Sequence, residues 1–295
     1  HKTNSMKKVF VMALAVCMSG ILFAQPRSAS QPELLVKTNY GLMAPVWSPD
    51  GSKIAMTSDN YTGIIVANAD GTNFKQLTSA AGAGYKMQWK ADSKQILGRT
   101  NVVESGRVFH EVKAWSVDGG ASQTLVAKTR LNGTPTWKSL ASVQRKAAVN
   151  GNVYEMMVND PAGVASRVAS LKQFSGKIII NPALSPDGSK VAFQVPGKGI
   201  YVCNVDGSAL SFVMKASHPA WLPDGKNLIA TVVKDNGEVF TSSDIYTVNV
   251  ATKASVNLTS NTSVVPLTPA VSPDGKKVAF ENAADAAIYV INLKY

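Results

Sequence analysis

The sequence predicts an all-β fold, a six-bladed β-propeller of four-stranded antiparallel blades that is closed by its N-terminal strand. Three observations predict it. Ser-Pro-Asp-Gly or a weaker relative of it recurs along the 295 residues, a strand pattern of alternating apolar residues follows each copy, and the six repeat anchors are 37 to 50 residues apart. Roughly 40 to 50 residues is the length of one four-stranded blade.

Each repeat has an apolar anchor at the end of its first strand. The anchors are Trp47, Trp89, Trp137, Leu184, Trp221 and Val271. Ser-Pro-Asp-Gly follows directly at residues 48–51, 185–188 and 272–275. Pro presets φ and Gly supplies a positive φ, as a tight turn requires. A Ser and an Asp beside a Trp can look catalytic, but the repetition predicts a turn between strands one and two.

A second, β-rich element follows each anchor and alternates with period two. Three copies end in Asp-Gly, at residues 70–71, 118–119 and 206–207, which is a hairpin-turn signal. Each repeat therefore divides into four strands. In the first repeat we expect them at residues 45–48, 53–58, 64–69 and 74–78.

The last repeat has only three strands before Tyr295. Residues 33–38 precede the first anchor and resemble the fourth strands of other repeats. We expect them to complete the sixth blade, which locks the ring and leaves no open edge between blades. The predicted propeller is one domain, residues 33–295, after a short exposed linker at residues 25–32.

Residues 1–24 are expected to be removed. A short positive segment, Met6-Lys7-Lys8, precedes 15 apolar residues and a small residue before cleavage near Ala24-Gln25. The apolar run is short for a membrane-spanning helix, which needs about 20 residues, so we expect no transmembrane segment after cleavage. The pattern predicts a periplasmic or secreted protein. Removal of the leader, which contains Cys17, would leave Cys203 as the one cysteine and exclude an intramolecular disulfide.

The leader carries three lysines and no acidic residue, so the formal net charge falls from +11 to +8. A basic exported protein can be attracted to anionic envelope polymers or lipid headgroups. Export and the lack of a clustered basic run argue against a nucleic-acid partner.

The pattern SPDG-x-x-[IV]-A-[FM], followed by I-Y-V and D-G, resembles the WD40-like repeat of the TolB β-propeller family over residues 33–295. That family includes the envelope protein TolB, propellers attached to peptidases, and oligogalacturonate lyase. The resemblance implies an envelope role with a Pal-like lipoprotein as partner. We expect no α/β domain ahead of the propeller. The G-x-S-x-G motif of the peptidases is absent, and only His110 and His218 follow the leader, so no metal or cofactor is expected.

Loops that vary on a rigid scaffold often carry function. Two long loops are expected on the face opposite the Pro-Asp-Gly turns, at residues 99–111 and 233–244. The candidate anchors for a partner are Phe109, His110 and Phe240. The candidate polar contacts are Arg99, Arg107, Lys234 and Glu238. Alternatively, both segments are longer hairpins whose aromatic side chains pack inward.

A second candidate site follows from the repeat register. The residue three positions before each anchor should lie at the mouth of the central channel on the same face. This ring consists of Ala44, Lys86, Thr134, Asn181, His218 and Thr268, and a proline follows four of them at 135, 182, 219 and 269. They could meet a ligand, or they could be solvated loop residues. His218 with Lys86 could transfer a proton, but no carboxylate falls in this ring.

The sequence favours a non-catalytic, monomeric protein-binding module in the bacterial cell envelope, with an envelope protein as its partner. The alternative is a glycan-binding or glycan-active propeller resembling oligogalacturonate lyase, with a cell-wall or polysaccharide ligand. A third possibility is a scaffold within a surface complex.

Overall fold

A computed structural model describes residues 24–130, 136–148, 151–168, 171–174, 176–235 and 240–295. All but the last residue of the predicted leader lies outside this part. Within it, no helix has the length and apolar character needed to cross a membrane. The structure is an all-β propeller, and the predicted fold class is confirmed.

The chain begins with two short strands that belong to the last blade, β1 (Ser28–Ala29) and β2 (Glu33–Val36). Blade one contains β3 (Leu42–Trp47), β4 (Lys53–Ser58), β5 (Thr62–Asn68) and β6 (Lys75–Thr78). Blade two contains β7 (Gln88–Trp89), β8 (Gln95–Glu104), β9 (Arg107–Ser116) and β10 (Gln123–Thr129).

In the third blade three strands are described; the register of β3 places the innermost strand of this blade at residues 132–137, of which 132–135 lie outside the described part. These three are β11 (Leu140–Ala148), β12 (Gly151–Asn159) and β13 (Ala165–Arg167). Blade four contains β14 (Ile180–Leu184), β15 (Lys190–Val195), β16 (Gly199–Asn204) and β17 (Ser211–Met214).

Blade five contains β18 (Ser217–Trp221), β19 (Asn227–Asp235), β20 (Phe240–Asn249) and β21 (Ser255–Asn257). Blade six contains β22 (Pro266–Val271), β23 (Lys277–Asn282) and β24 (Ala287–Lys294). Short 3-10 turns lie at Asp59–Tyr61 and Lys172–Phe174.

The two ends of the chain close the ring, as predicted. β2 pairs antiparallel with β24, with Glu33 opposite Val290. The closing strand begins earlier than expected, because β1 also pairs with β24 and Arg27 N donates to Lys294 O at 2.8 Å. Residues 25–32, expected as an exposed linker, therefore contribute to the sixth blade.

The Pro-Asp-Gly segments are turns closed by their own side chains. In blade one, Ser48 Oγ donates to Asp50 Oδ1 at 2.6 Å, and Lys53 N donates to Ser48 Oγ at 2.9 Å. The same serine–aspartate bond recurs at 2.6 Å in blades four and six. The donated hydrogen bonds, led by that of Ser48, lower the pKa of Asp50 to about 2. The segment is therefore structural.

The anchor tryptophans join neighbouring blades. The indole N–H of Trp47 donates to Ala270 O at 3.0 Å, that of Trp89 to Val46 O at 3.0 Å and that of Trp221 to Ala183 O at 2.9 Å. In each pair the carbonyl belongs to the residue just before the preceding blade's anchor. Among the described residues, five clusters of buried apolar side chains each lie between two adjacent blades.

Candidate functional site

The five described members of the predicted ring share an unusual backbone conformation. Each has a positive φ of 44° to 52°, namely Ala44, Lys86, Asn181, His218 and Thr268. Thr134 lies outside the described residues. Four of the five coincide with a shift of register between the first two strands of the blade. Positive φ is uncommon outside glycine and often marks functional sites, so the repeat register identified equivalent backbone positions.

Two side chains that follow the anchors by ten residues tie this ring together. In blade four, Gln194 Oε1 accepts from Asn181 Nδ2 at 2.8 Å and from His218 N of the next blade at 3.3 Å. In blade six, Glu281 Oε2 accepts from Thr268 Oγ1 at 3.1 Å. The backbone N–H of Ala44 in blade one also donates to this carboxylate. Each acceptor therefore joins its own blade to the next.

The ring of six contains no carboxylate, but Glu281 bonds to two of its members from the neighbouring strand. Burial raises the pKa of this carboxyl and the nearby Asp59 raises it further, whereas the bonds from Thr268 and Ala44 oppose the shift. The mouth therefore has an acidic side between blades six and one.

The opposite charge gathers around Tyr85, in the connection between blades one and two. The Arg99 guanidinium lies 4.2 Å from the ring centroid and Lys86 Nζ lies 5.5 Å from it. Tyr61 meets the same ring edge-on, with centroids 5.0 Å apart. This is cation–π geometry. Gly84, next to Tyr85, allows this connection to pass close to blade one, because an added Cβ would lie 2.1 Å from Thr57 Oγ1.

His110 is buried, with 8% of its surface exposed, and holds Arg99 in place. Its Nε2 lies 3.5 Å from Arg99 Nη1 and its Nδ1 lies 3.1 Å from Asn101 Oδ1. A guanidinium can only donate, so this arrangement assigns the ring proton to Nδ1. Burial, with a smaller contribution from Arg99, lowers the pKa of His110. His110 is thus placed beneath the surface and not on it.

Three buried polar atoms at the mouth have no hydrogen-bond partner among the described residues. They are Arg99 Nε, His218 Nδ1 and Thr231 Oγ1. Burial lowers the pKa values of Arg99 and His218. Thr231 occupies the repeat position of Gln194 and Glu281, and its side chain is fully buried. Buried polar groups are nearly always bonded, so each exception needs an explanation.

Residues 99–111 form a hairpin and not a loop. β8 and β9 pair as far as Glu104 opposite Arg107, and the turn between them, Ser105-Gly106, has φ values of 49° and 72°. This is the type I′ geometry that two-residue hairpins prefer. Val103 and Val108 lie opposite each other near the tip, 68% and 56% exposed.

The other candidates on this hairpin differ in exposure. Arg107 is exposed at the tip, whereas Phe109 is half-buried, with Lys128 Nζ 4.2 Å from its ring centroid. Lys128 also pairs with Glu104. The ring of Phe109 is therefore partly covered by Lys128.

The blade-five segment is also a hairpin. β19 and β20 pair from Asn227 opposite Asn249 to Asp235 opposite Phe240, which begins β20. Lys234 is exposed and lies opposite Ser242. Glu238 lies outside the described residues. The two hairpins come from different blades, two and five.

The channel end beside the Pro-Asp-Gly turns differs from the mouth. It holds a cavity of about 610 Å³. Its lining includes Trp47, Trp89, Trp137, Lys138 and the turn prolines Pro49 and Pro273. The Lys138 side chain is accessible, yet the surrounding protein desolvates its ammonium and lowers its pKa.

In the described ranges, no three His, Cys, Asp or Glu side chains form a group that could hold a metal ion. His110 and His218 belong to blades two and five. Cys203 is buried, and burial raises the pKa of its thiol to about 11.

Sequence reasoning missed five residues of the mouth, Tyr61, Tyr85, Gln194, Thr231 and Glu281. Three of them carried a signal. The position ten residues after the anchor is polar in five repeats, where it is Thr57, Arg99, Gln194, Thr231 or Glu281. The two tyrosines lie in connections that have no repeat equivalent.

Comparison with known proteins agrees with this architecture. A family model described as the TolB beta propeller domain matches residues 138–294, more than half of the chain. A Protein TolB homolog of Chlorobium luteolum is 32% identical over 127 residues. These residues are 40% of this chain and only 28% of that relative's length.

Solved structures with low identity share the fold. The structure of a putative TolB from Agrobacterium tumefaciens has a TM-score of 0.54 and 16% identity, covering 92% of this chain and 100% of that one. An oligogalacturonate lyase in complex with manganese has a TM-score of 0.52 and 14% identity, covering 92% of this chain and 95% of that one.

Proposed function

The chain belongs to the TolB β-propeller family, and from this premise we propose that it is a non-catalytic binding module of the bacterial cell envelope whose protein partner docks over the channel mouth. One observation carries the proposal. Arg99 Nε, His218 Nδ1 and Thr231 Oγ1 are buried at the mouth with no partner in the described part of the chain. A buried polar group left without a partner costs about 1–3 kcal/mol. A partner segment with complementary groups would recover part of that cost.

Apolar side chains on the same face suit a protein partner. Val103 and Val108 form an exposed pair on the blade-two hairpin, and Tyr40 and Ile178 are exposed in connections that lead into the first strands of blades one and four. Interfaces combine apolar anchors with polar contacts that fix orientation. The mouth adds a cationic side at Lys86 and Arg99 and an acidic side at Glu281, which would set the orientation of the partner.

The proposed protein is exported through its leader, with cleavage near Ala24-Gln25, and acts as a monomer in the periplasm or after secretion. By family resemblance the proposed partner is a Pal-like lipoprotein. The formal charge of +8 after leader removal would assist approach to anionic envelope surfaces.

A glycan ligand is the second candidate. Tyr61 and Tyr85 offer aromatic faces beside Lys86 and Arg99, and this combination suits an acidic sugar. The likeness in fold to oligogalacturonate lyase motivates the choice of an oligogalacturonate as the probe.

The protein-partner proposal is tested by cross-linking and affinity capture from a detergent-solubilised envelope extract. The baits are the mature chain, a tip variant with Val103→Ser and Val108→Ser, and a control with Leu34→Ser and Leu125→Ser. The control residues are exposed apolar side chains on the closing strand β2 and on β10. We expect one envelope protein to bind the mature chain and the control but not the tip variant. Equal retention by all three baits contradicts the proposal.

Calorimetric titration with an oligogalacturonate tests the alternative. The protein-partner proposal expects no saturable heat with the mature chain. Saturable heat that is abolished by Lys86→Ala would indicate that the mouth binds a glycan and not a protein partner.

A further inference from the structure

The cavity at the turn end of the channel is separate from the proposed docking face. It is lined by the residues that surround the anchors of blades six, one, two and three, and not by the ring three positions earlier. Its volume of about 610 Å³ lies within the roughly 300–1,000 Å³ of small-molecule sites.

The lining is mainly aromatic and apolar. The indole N–H groups of Trp47 and Trp89 already donate to backbone carbonyls, so these two side chains offer only their ring surfaces to the cavity. Pro45, Pro49 and Pro273 add apolar surface. A sugar would need many hydrogen-bond partners, and this lining has few.

Lys138 is the one charged side chain among the lining residues, which include no carboxylate. It makes no ion pair or hydrogen bond with any residue in the described ranges. The fold does not need this cation for its turn. Blades one, four and six have a serine at this repeat position, bonded to the aspartate two residues later, whereas blade three has Leu140 in place of that aspartate.

A second polar group nearby lacks a partner. Thr136 precedes Trp137, at the repeat position of Val46 and Ala270, both of which line the cavity. Its hydroxyl is buried and has no hydrogen-bond partner among the described residues. Thr136 itself is not among the lining residues, so the charged group available to a ligand in the cavity is Lys138.

We infer that the turn end of the channel is a binding site for a small amphipathic anion, with a planar apolar body held among Trp47, Trp89 and Trp137 and its anionic group held by Lys138. The apolar body would bury ring surface, which is the main source of affinity in such sites. The ammonium would supply a charge-assisted hydrogen bond and with it the preference for an anion. The site involves none of the mouth residues, so it stands or falls independently of the protein partner.

Two matched probes test this inference on the mature chain. Anilinonaphthalene sulfonate has an aromatic body and one anionic group, and phenylnaphthylamine has the same body without the sulfonate. Energy transfer from tryptophan to either probe reports binding near the channel. The variants are Lys138→Met, the cavity-filling Ala91→Phe, and the control Lys90→Met. Lys90 occupies the same repeat position in blade two, bonds to Gln95 and does not line the cavity, although its Nζ lies 6.0 Å from the Trp137 ring centroid. It therefore controls for loss of a cation close to the site but outside it.

We expect one sulfonate to bind per chain, and Lys138→Met to weaken it about tenfold, as expected for loss of a hydrogen bond to a charged group. Lys90→Met should leave it unchanged. Binding of the neutral probe should be the same in both lysine variants, and Ala91→Phe should prevent binding of both probes. Sulfonate binding that is unchanged by Lys138→Met, or weakened equally by both lysine changes, would overturn the inference. If Ala91→Phe disturbs folding, Lys138→Met still decides the test, because Lys138 is exposed and its replacement should not affect folding.

Discussion

The two ends of the central channel are built from the same repeat and differ in chemistry. At the turn end, three indole N–H groups donate to the preceding blade, and the turn serines and aspartates bond one another. At the mouth, the register shifts, five non-glycine residues adopt positive φ, and Arg99, His218 and Thr231 keep buried atoms without partners among the described residues. The anchor and turn side chains satisfy one another, whereas these three mouth side chains keep a buried polar atom unpaired in the described part of the chain.

This difference separates stability from recognition. The anchor and turn residues satisfy one another, so they need no ligand to account for their presence. The open polar atoms of the mouth lower stability, and a protein retains such groups when a partner uses them. The cavity at the turn end adds a local exception, since Lys138 stands where the regular turn chemistry is lost.

The largest expected effect concerns an anchor. Trp47→Ala should lower the free energy of unfolding by about 3–5 kcal/mol, because it removes a buried aromatic side chain between two blades. Trp47→Phe keeps most of the ring but loses the bond to Ala270 O, and should cost less than half as much. Urea unfolding measures both. A loss below about 1 kcal/mol for the alanine variant would show that the anchors do not hold the ring.

A matched pair of threonines compares a satisfied with an unsatisfied hydroxyl. Thr57 and Thr231 share one repeat position and are both fully buried, but Thr57 Oγ1 lies 2.8 Å from Gly63 O, whereas Thr231 Oγ1 has no described partner. Thr57→Val should lower the free energy of unfolding by about 1 kcal/mol, and Thr231→Val should raise it by a similar amount. Differential scanning calorimetry would measure the opposite shifts in Tm. Equal destabilisation would mean that Thr231 is satisfied in solution.

The smallest expected effect is the pH dependence of the stability that the turn aspartates contribute. The pKa of Asp50 and that of Asp187 are about 2 in the folded chain, below the unfolded value of about 3.9. Groups with a lowered folded pKa stabilise the fold above the unfolded pKa and lose that contribution as the pH falls toward 2. The double variant Asp50→Asn with Asp187→Asn should therefore unfold at lower urea than the parent at pH 7. The gap should narrow between about pH 4 and pH 2, and a constant gap would contradict the turn assignment.

The fold was predictable because its signals are local and repeated. Each Pro-Asp-Gly turn requires particular residues at fixed positions, and the blade length follows from their spacing. The strand at residues 33–38, which belongs to no repeat of its own, could then be assigned to the last blade, which lacked its fourth strand. The backbone of the ring was also predictable, because Ala44, Asn181, His218 and Thr268 share a register with their anchors.

The contacts of the mouth were not predictable from the same register. Gln194 and Glu281 bond across blades, and a repeat alignment shows equivalence of positions without showing which side chains meet. Tyr61 and Tyr85 come from connections of unrelated sequence. His110 looked like an exposed aromatic on a long loop, but the strands extend through that segment and bury it. The cavity at the turn end depends on how closely six blades approach, which no single repeat determines.

The central claim is that the mouth is kept for a partner and the regular turn face is not. The measurement that tests it most directly is the affinity of the captured envelope protein for two double variants of equal size. One is Lys86→Ala with His218→Ala at the mouth, and the other is Lys226→Ala with Lys276→Ala, two exposed lysines of the Pro-Asp-Gly turns. We predict that the mouth variant binds at least about tenfold more weakly while unfolding at the same urea concentration, and that the turn variant binds like the parent. Unchanged affinity of the mouth variant, or an equal loss in both, would contradict the account.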